Sequence, residues 1–229
     1  MNPTLLITGG SRGIGAATAL LAAQRGYAVA VNYTANSLAA DDVVRQIRAS
    51  GGHAITVQAD VAVEVQVLAM FEKIDAKLGR LTALVNNAGV VDIAARVDEM
   101  SVARLKRMST RHGGTGGSIV NVSSVAARLG GAGQYVDYAA SKGAVDSFTV
   151  GLAKEVAMEG IRVNAVRPGI IETEIHASGG QPDRARAMAP LVPMQRAGSA
   201  LEVAQAIVWL LSDESSYTTG SLLDVTGGR

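Results

Sequence analysis

The chain has 229 residues with 21 Lys and Arg against 20 Asp and Glu, and the charges form no block, so charge-driven binding to nucleic acid or an anionic membrane is excluded. Cysteine is absent and His53, His112 and His176 stand far apart, which excludes disulfides, a cysteine nucleophile and a zinc site of the usual ligand spacing. Although 48% of the residues are hydrophobic, the longest uncharged run of apolar character, Ile14 to Ala23, stops at Gln24 and Arg25, short of the roughly 18 a membrane span needs; with no signal-peptide pattern, the expectation is one cytoplasmic domain over residues 1–229.

Short aliphatic runs alternate with longer amphipathic ones, the pattern of βαβ units on a parallel sheet. Thr4 to Thr8 is a strand, a glycine-rich turn follows, and Ile14 to Arg25 is an apolar helix. Tyr27 to Asn32 is the second strand, Leu38 to Ala49 a helix that Gly51-Gly52 ends, and His53 to Ala59 the third strand. In the next helix Val67, Met70, Phe71, Ile74 and Leu78 recur at steps of three and four, one apolar stripe for the sheet. Leu81 to Asn86 and Ser118 to Val122 are strands; the helix Tyr138 to Met158 leads into the strand Ile161 to Val166, and the helix Glu202 to Leu211 into Ser221 to Val225. Ser109 to Gly117 is the region least like a packed element, its His112-Gly-Gly-Thr-Gly-Gly117 run polar and unable to hold a helix, and Gln181 to Pro193 reads as either a flap over a site or a surface loop with one helical turn.

Three groups of residues carry chemistry. Thr8-Gly9-Gly10-Ser11-Arg12-Gly13-Ile14-Gly15 sits between the first strand and first helix, where glycines let the backbone approach a pyrophosphate at the positive helix end. Gly9-Gly10-Ser11-Arg12-Gly13 also fits the G-x-S-x-G elbow of a serine hydrolase, with Ser11 as nucleophile and His176 as base. That reading fails on the oxyanion hole, because only a strand precedes the turn and no oxyanion motif accompanies it. Tyr138 and Lys142 lie four residues apart on one helical face, where an ammonium favours the phenolate of a tyrosine that otherwise ionises near pH 10. Tyr135 competes but has no lysine four residues on, and Ser123 and Ser124 end a strand at the carboxyl edge, where open α/β sheets place ligands.

Taken together and in order, Thr8-Gly-x-x-x-Gly-x-Gly15, Asn86-Asn-Ala-Gly89, Val122-Ser-Ser124, Tyr138-x-x-x-Lys142 and Pro168-Gly169 resemble the short-chain dehydrogenase/reductase family over nearly the whole chain. The resemblance implies an α/β doubly wound Rossmann-type fold, a parallel seven-stranded sheet with helices on both faces, and hydride transfer between a nicotinamide cofactor and a carbonyl or alcohol. It makes Tyr138 the acid/base, Lys142 the residue that lowers its pKa and holds the nicotinamide ribose, and Ser124, rather than Ser123, the group that orients the substrate oxygen. It puts the phosphates at Gly9, Arg12, Ile14 and Gly15, the adenine at Asp60, the ribose-side pocket at Asn87, and the nicotinamide end at Ile171 and Thr173. Ser11, Gly13, Asn32, Tyr33, Val61, Ala88, Gly89, Pro168 and Gly169 complete the implied cofactor set. No metal is implied, and the expected assembly is a homo-oligomer, a tetramer or dimer. The second strand ends Asn32-Tyr33-Thr34 without an acidic residue to hold an adenosine 2′-hydroxyl, while Arg12 is free to pair with a 2′-phosphate, so NADP(H) is expected over NAD(H). The rival in a different class is a cofactor-sensing protein on the same fold that catalyses little.

The chain departs from the family between Ala88 and Gly117, where members carry a longer helix with an asparagine of the proton relay and this sequence has no asparagine. The helix from Ser101 runs only to about Arg111, and Arg107-Met108-Ser109-Thr110 reads like one helix start abutting the end of another. The expectation is a segment missing from the written chain between Met108 and Ser109, rather than a true deletion. The substrate pocket is expected from Val90 to Arg96, Leu129 to Tyr135 and Ile175 to Met194, and does not name its substrate.

Overall fold

The computed structural model describes residues 2–88, 107–133, 135–174 and 181–229. In the first half, β1 (Thr4–Ile7), α1 (Gly13–Gln24), β2 (Ala28–Tyr33), α2 (Ser37–Ala49), β3 (Ala54–Gln58), α3 (Glu64–Leu78) and β4 (Leu81–Asn86) alternate as expected. The second half holds β5 (Gly117–Val122), α4 (Ala126–Leu129), α5 (Val136–Val156), β6 (Ile161–Pro168), β7 (Ile171–Glu172), α6 (Arg184–Met188), β8 (Gly198–Ser199), α7 (Ala200–Leu211) and β9 (Leu222–Val225). Seven strands form one parallel sheet in the order β3-β2-β1-β4-β5-β6-β9, the doubly wound Rossmann-type arrangement that the resemblance implies.

The central strands read as unbroken aliphatic runs because both faces of the sheet are covered. Leu5 and Ile7 of β1 face a core built with Ala19 and Ala22 of α1, Val43 and Ile47 of α2, and Val203 and Ile207 of α7. Leu6, one residue out of phase, faces the opposite core with Met70, Phe71 and Ile74 of α3 and Leu152 and Val156 of α5. Of the predicted α3 stripe, Val67, Met70, Phe71 and Ile74 are buried and Leu78 packs at the rim.

The join Met108–Ser109, where a missing segment is expected, lies within a tight turn. The chain runs through that join and closes it tightly: Met108 is wholly buried, its carbonyl accepts from Gly116 N at 2.8 Å, and Ser109 O accepts from Gly114 N at 2.8 Å. A Cβ on Gly114 would lie 2.2 Å from Met108 O, so the glycines are required there. Arg107 fixes the approach, with Nε 3.0 Å from Asp75 and its guanidinium 5.0 Å over the Phe71 ring. A short 3₁₀ turn, Thr110–His112, precedes the glycines, and the Ser109 side chain starts it by accepting from Arg111 N. The start of the helix predicted from Ser101 lies outside the described residues. Within Gln181 to Pro193, α6 and a 3₁₀ turn at Ala189–Leu191 anchor through Ala185 and Val192, which pack with Ile170.

The end of α7 hangs on a residue the sequence reading did not single out. The Arg162 guanidinium on β6 donates to the carbonyls of Leu210 at 2.8 Å and Ser212 at 3.0 Å and to Ser215 Oγ at 3.0 Å, taking up acceptors that a helix end leaves unpaired. Tyr27 O–H adds a bond to Leu211 O at 3.2 Å. Replacing Arg162 by Met should lower the unfolding free energy by about 3 kcal/mol in urea denaturation, since several buried carbonyls lose their donor together.

At the other end of α7, Ser199 and Glu202 form a capping box and Arg196 clamps the Glu202 carboxylate at 2.6 and 2.9 Å. The Arg196 hydrogen bonds first, and the Ser199 N–H second, hold the Glu202 carboxyl down from 4.5 to about 2. A depressed carboxyl stabilises the fold above its unfolded value and loses that contribution as pH falls through the folded one. Melting temperature should therefore drop between pH 4.5 and 2 in the parent and fall less over that window in Glu202→Gln.

Candidate active site

The strand order reverses between β1 and β4, and at that point the loops leaving the two strands diverge and open a crevice at the carboxyl edge of the sheet. The glycine turn after β1 fills one side of it. Gly9 and Gly13 have φ of +60° and +53°, which side chains resist, and a Cβ on Gly15 would stand 2.5 Å from Gly9 O and 2.6 Å from Asn87 Nδ2. Thr8 and Asn87 lock the turn to β4. Thr8 Oγ1 accepts from Asn87 N at 3.0 Å and Ala88 N at 2.9 Å, and Asn87 Nδ2 donates to the carbonyls of Thr8 at 2.9 Å and Gly9 at 3.0 Å.

The N-terminus of α1 has no side-chain cap and no acidic residue in its first turn, so its free N–H groups and positive dipole end face the crevice. That chemistry suits a pyrophosphate, and exposed Arg12, the N-cap residue, adds a cation. Thr173, expected at the nicotinamide end, lies against the turn: a Cβ on Gly13 would meet its Cγ2 at 3.4 Å. Asp60 is half-buried and its Oδ1 accepts from Ala62 N at 2.9 Å.

Three expected cofactor contacts have side chains used within the fold. Asn32 is 1% exposed, donating to Val57 O and Ala59 O at 3.2 and 2.9 Å and accepting from Gly9 N at 3.3 Å, so it ties β2, β3 and the turn together. The amide hydrogens of Asn87 go to the turn rather than the ribose-side pocket. Ile171 is buried in the core. Gly89, and His176 of the hydrolase reading, lie outside the described residues.

Across the crevice, α5 carries Tyr138 and Lys142, and the end of β5 carries Ser123 and Ser124. The two serines separate cleanly. Ser123 is buried with Oγ donating to Lys142 O at 3.2 Å, a strap between β5 and α5, whereas half-buried Ser124 accepts from Ala126 N at 3.1 Å and hydrogen-bonds Tyr138. Lys142 Nζ donates to Val122 O at 2.9 Å and lies 5.7 Å from the centre of the Tyr138 ring. Tyr135 stands one turn earlier under the Arg184 guanidinium, 5.2 Å from its ring centre.

Here the electrostatics depart from expectation. Burial raises the Tyr138 phenol above its ordinary 10.0, opposed by the Ser124 hydrogen bond, and burial lowers the Lys142 ammonium, opposed by Asp146. The expected lowering of Tyr138 is reversed because Lys142 is held on a carbonyl rather than on the phenol oxygen, and desolvation outweighs it. Among the described residues no cluster of His, Asp or Glu has the makings of a metal site, and no helix is long and apolar enough to cross a membrane. A separate cleft of about 530 Å³ opens between Arg128, Ile170, Met194 and the residues after β9; it reaches none of Ser124, Tyr138 and Lys142. Gly15→Ala should cost about 1–3 kcal/mol in chemical denaturation, because backbone and a pinned amide occupy the space a methyl group needs.

Comparison with known proteins agrees with this geometry. The family model described as enoyl-(acyl carrier protein) reductase matches residues 9–229. The chain is 55% identical to an uncharacterized oxidoreductase, YgfF, of Escherichia coli, with 98% of each chain covered. That alignment runs over 243 positions although this chain has 229 residues, so the relative carries residues that this chain lacks. The chain is also 40% identical to a cis-4-hydroxycyclohexanecarboxylate dehydrogenase of Sinomonas cyclohexanicum, covering 97% of this chain and 94% of the relative. Its identity to the 3-oxoacyl-[acyl-carrier-protein] reductase FabG of Staphylococcus epidermidis is 33%, with 100% and 99% covered. A 7α-hydroxysteroid dehydrogenase solved with NADH and 7-oxo glycochenodeoxycholic acid superposes with a TM-score of 0.88 at 29% identity, covering 99% of this chain and 93% of that one. A crevice at the sheet's switch point, a serine, tyrosine and lysine gathered across it, and these likenesses over nearly the full length have one common account: the chain belongs to the short-chain dehydrogenase/reductase family of oxidoreductases.

Proposed function

We propose that the protein is an NADP(H)-preferring carbonyl reductase or alcohol dehydrogenase in which Tyr138 moves the proton. The observation that carries this reading is the Ser124–Tyr138–Lys142 cluster facing an uncapped helix N-terminus across one crevice. The N–H groups at the start of α1, the turn Gly9 to Gly15 and Arg12 would hold the phosphates. When bound, the nicotinamide supplies or takes up the hydride.

The work of the chain itself is proton chemistry. Ser124 already accepts from Ala126 N, so its hydroxyl hydrogen is free to bond Tyr138 or a substrate oxygen. In reduction Tyr138 gives its proton to the carbonyl oxygen as general acid, a role suited to a phenol held protonated at neutral pH. In oxidation the same oxygen must first lose its proton, and the Lys142 ammonium beside the ring favours that state. Arg12 stands exposed at the turn and β2 ends in Asn32-Tyr33 without a carboxylate, which supports a 2′-phosphate over a 2′-hydroxyl.

The deciding experiment is steady-state kinetics with NADPH and NADH on a 3-oxoacyl thioester, 4-oxocyclohexanecarboxylate and a 7-oxo steroid, the oxo counterparts suggested by the relatives. Turnover should favour NADPH, and Arg12→Ala should erode that preference by about tenfold, the worth of one charge-assisted hydrogen bond. Tyr138→Phe should lower kcat by about 10²-fold or more while leaving the Kd for NADPH unchanged. The reduction rate should stay level across neutrality and fall on the alkaline side, where Lys142, lowered, and then Tyr138, raised, lose their protons. A protein that binds NADPH and turns over no carbonyl would return the sensor reading.

A further inference from the structure

We propose that the buried carboxylate of Asp146 is a positioning residue that holds Lys142 in its charged form and thereby sets the alkaline edge of activity. The inference rests on the roles given above to Tyr138 and Lys142. Lys142 sits in the interior of α5 with its ammonium on a neutral acceptor, Val122 O at 2.9 Å, and no carboxylate among the described residues bonded to it. One turn further along the same helical face, at the spacing where side chains meet, stands Asp146. Its side chain is only 8% exposed.

The binding of Asp146 to its other neighbour is lopsided. Arg167 on β6 directs Nε, at 2.9 Å, and a terminal nitrogen, at 2.8 Å, to the same oxygen, Oδ2. A guanidinium that served only to neutralise the carboxylate would spread its fork over both oxygens. Here Oδ1 is buried with no donor. Arg167 is itself shared, lying 3.7 Å from Asp224 on β9, which in turn pairs with Arg128 on α4 at 3.3 Å. Charges thus alternate from Lys142 through Asp146, Arg167 and Asp224 to Arg128, and the part of the Asp146 charge that Arg167 does not take falls on Lys142. The direction of its effect agrees, since burial works against the ammonium and Asp146 works for it.

The test titrates Lys142 directly, by the ¹³Cε signal of labelled lysine in the cofactor-free protein, with Lys142→Arg used to assign the peak. It is paired with the pH profile of kcat in the carbonyl assay. Asp146→Asn keeps the shape and removes the charge; both the Lys142 step and the alkaline edge of kcat should move down by roughly one unit, the effect of losing a nearby opposite charge. Asp146→Glu keeps the charge and should hold both near the parent. An Asp146→Asn protein with the parent's melting temperature and an unmoved Lys142 step overturns the inference, as does an Asp146→Glu protein shifted equally far. If the Asn variant does not fold, Arg167→Gln reads the same coupling with opposite sign: the Lys142 step should rise, and a fall or no change overturns the inference. A shifted Lys142 step in a protein that reduces no carbonyl would sustain this inference and sink the proposed activity. Turnover with an unmoved step would do the reverse.

Discussion

Two side-chain bonds from Asn87, to the carbonyls of Thr8 and Gly9, hold the first turn of the chain against the loop leaving β4. Those strands are neighbours in the sheet but lie 74 or more residues apart in the chain, so this contact forms only once the sheet has its final order. Asn32 fastens the same turn from the opposite side through Gly9 N. With the turn clamped between the side-chain amides of Asn32 and Asn87, α1 starts where its free N–H groups face the crevice, and the tight fit of Gly15 follows from the same clamp. Weakening it would displace the anion end of the site without touching the proton chemistry across the crevice.

That chemistry depends on a balance between burial and charge. Tyr138 and Lys142 are each pushed toward neutrality by desolvation, and each is opposed by one neighbour, Ser124 for the phenol and Asp146 for the ammonium. Ser123 stabilises the arrangement by bonding the Lys142 carbonyl, so adjacent serines divide structure and chemistry between them. The central sheet continues this polar layer inward: Asn121 accepts from Asn86 at 2.7 Å and donates to Thr149 at 2.9 Å, joining β4, β5 and α5 beneath the site.

The connection before β5 is where the sequence departs from the family pattern, and its described part, from residue 107 on, is tightly packed. With Met108 buried against the α3 core and the glycines from 113 to 117 wrapped over its carbonyl, the chain turns into β5 within a few residues. The glycines of this turn are demanded by close backbone approach.

The alternation of elements, the buried runs of β1 and β2 and the α3 stripe were legible in the sequence because they depend on local periodicity, which survives any long-range arrangement. The glycine turn and the spacing of Tyr138 and Lys142 were legible for the same reason, as properties of neighbours along the chain. Tertiary structure alone decided that Asn32 and Asn87 serve the turn, that Ile171 points into the core, that Arg162 caps α7, and that Asp146, one turn from Lys142, is bonded to Arg167. It also decided the direction in which Tyr138 is shifted, because desolvation depends on what the whole fold packs around a group, and no spacing in the sequence records that.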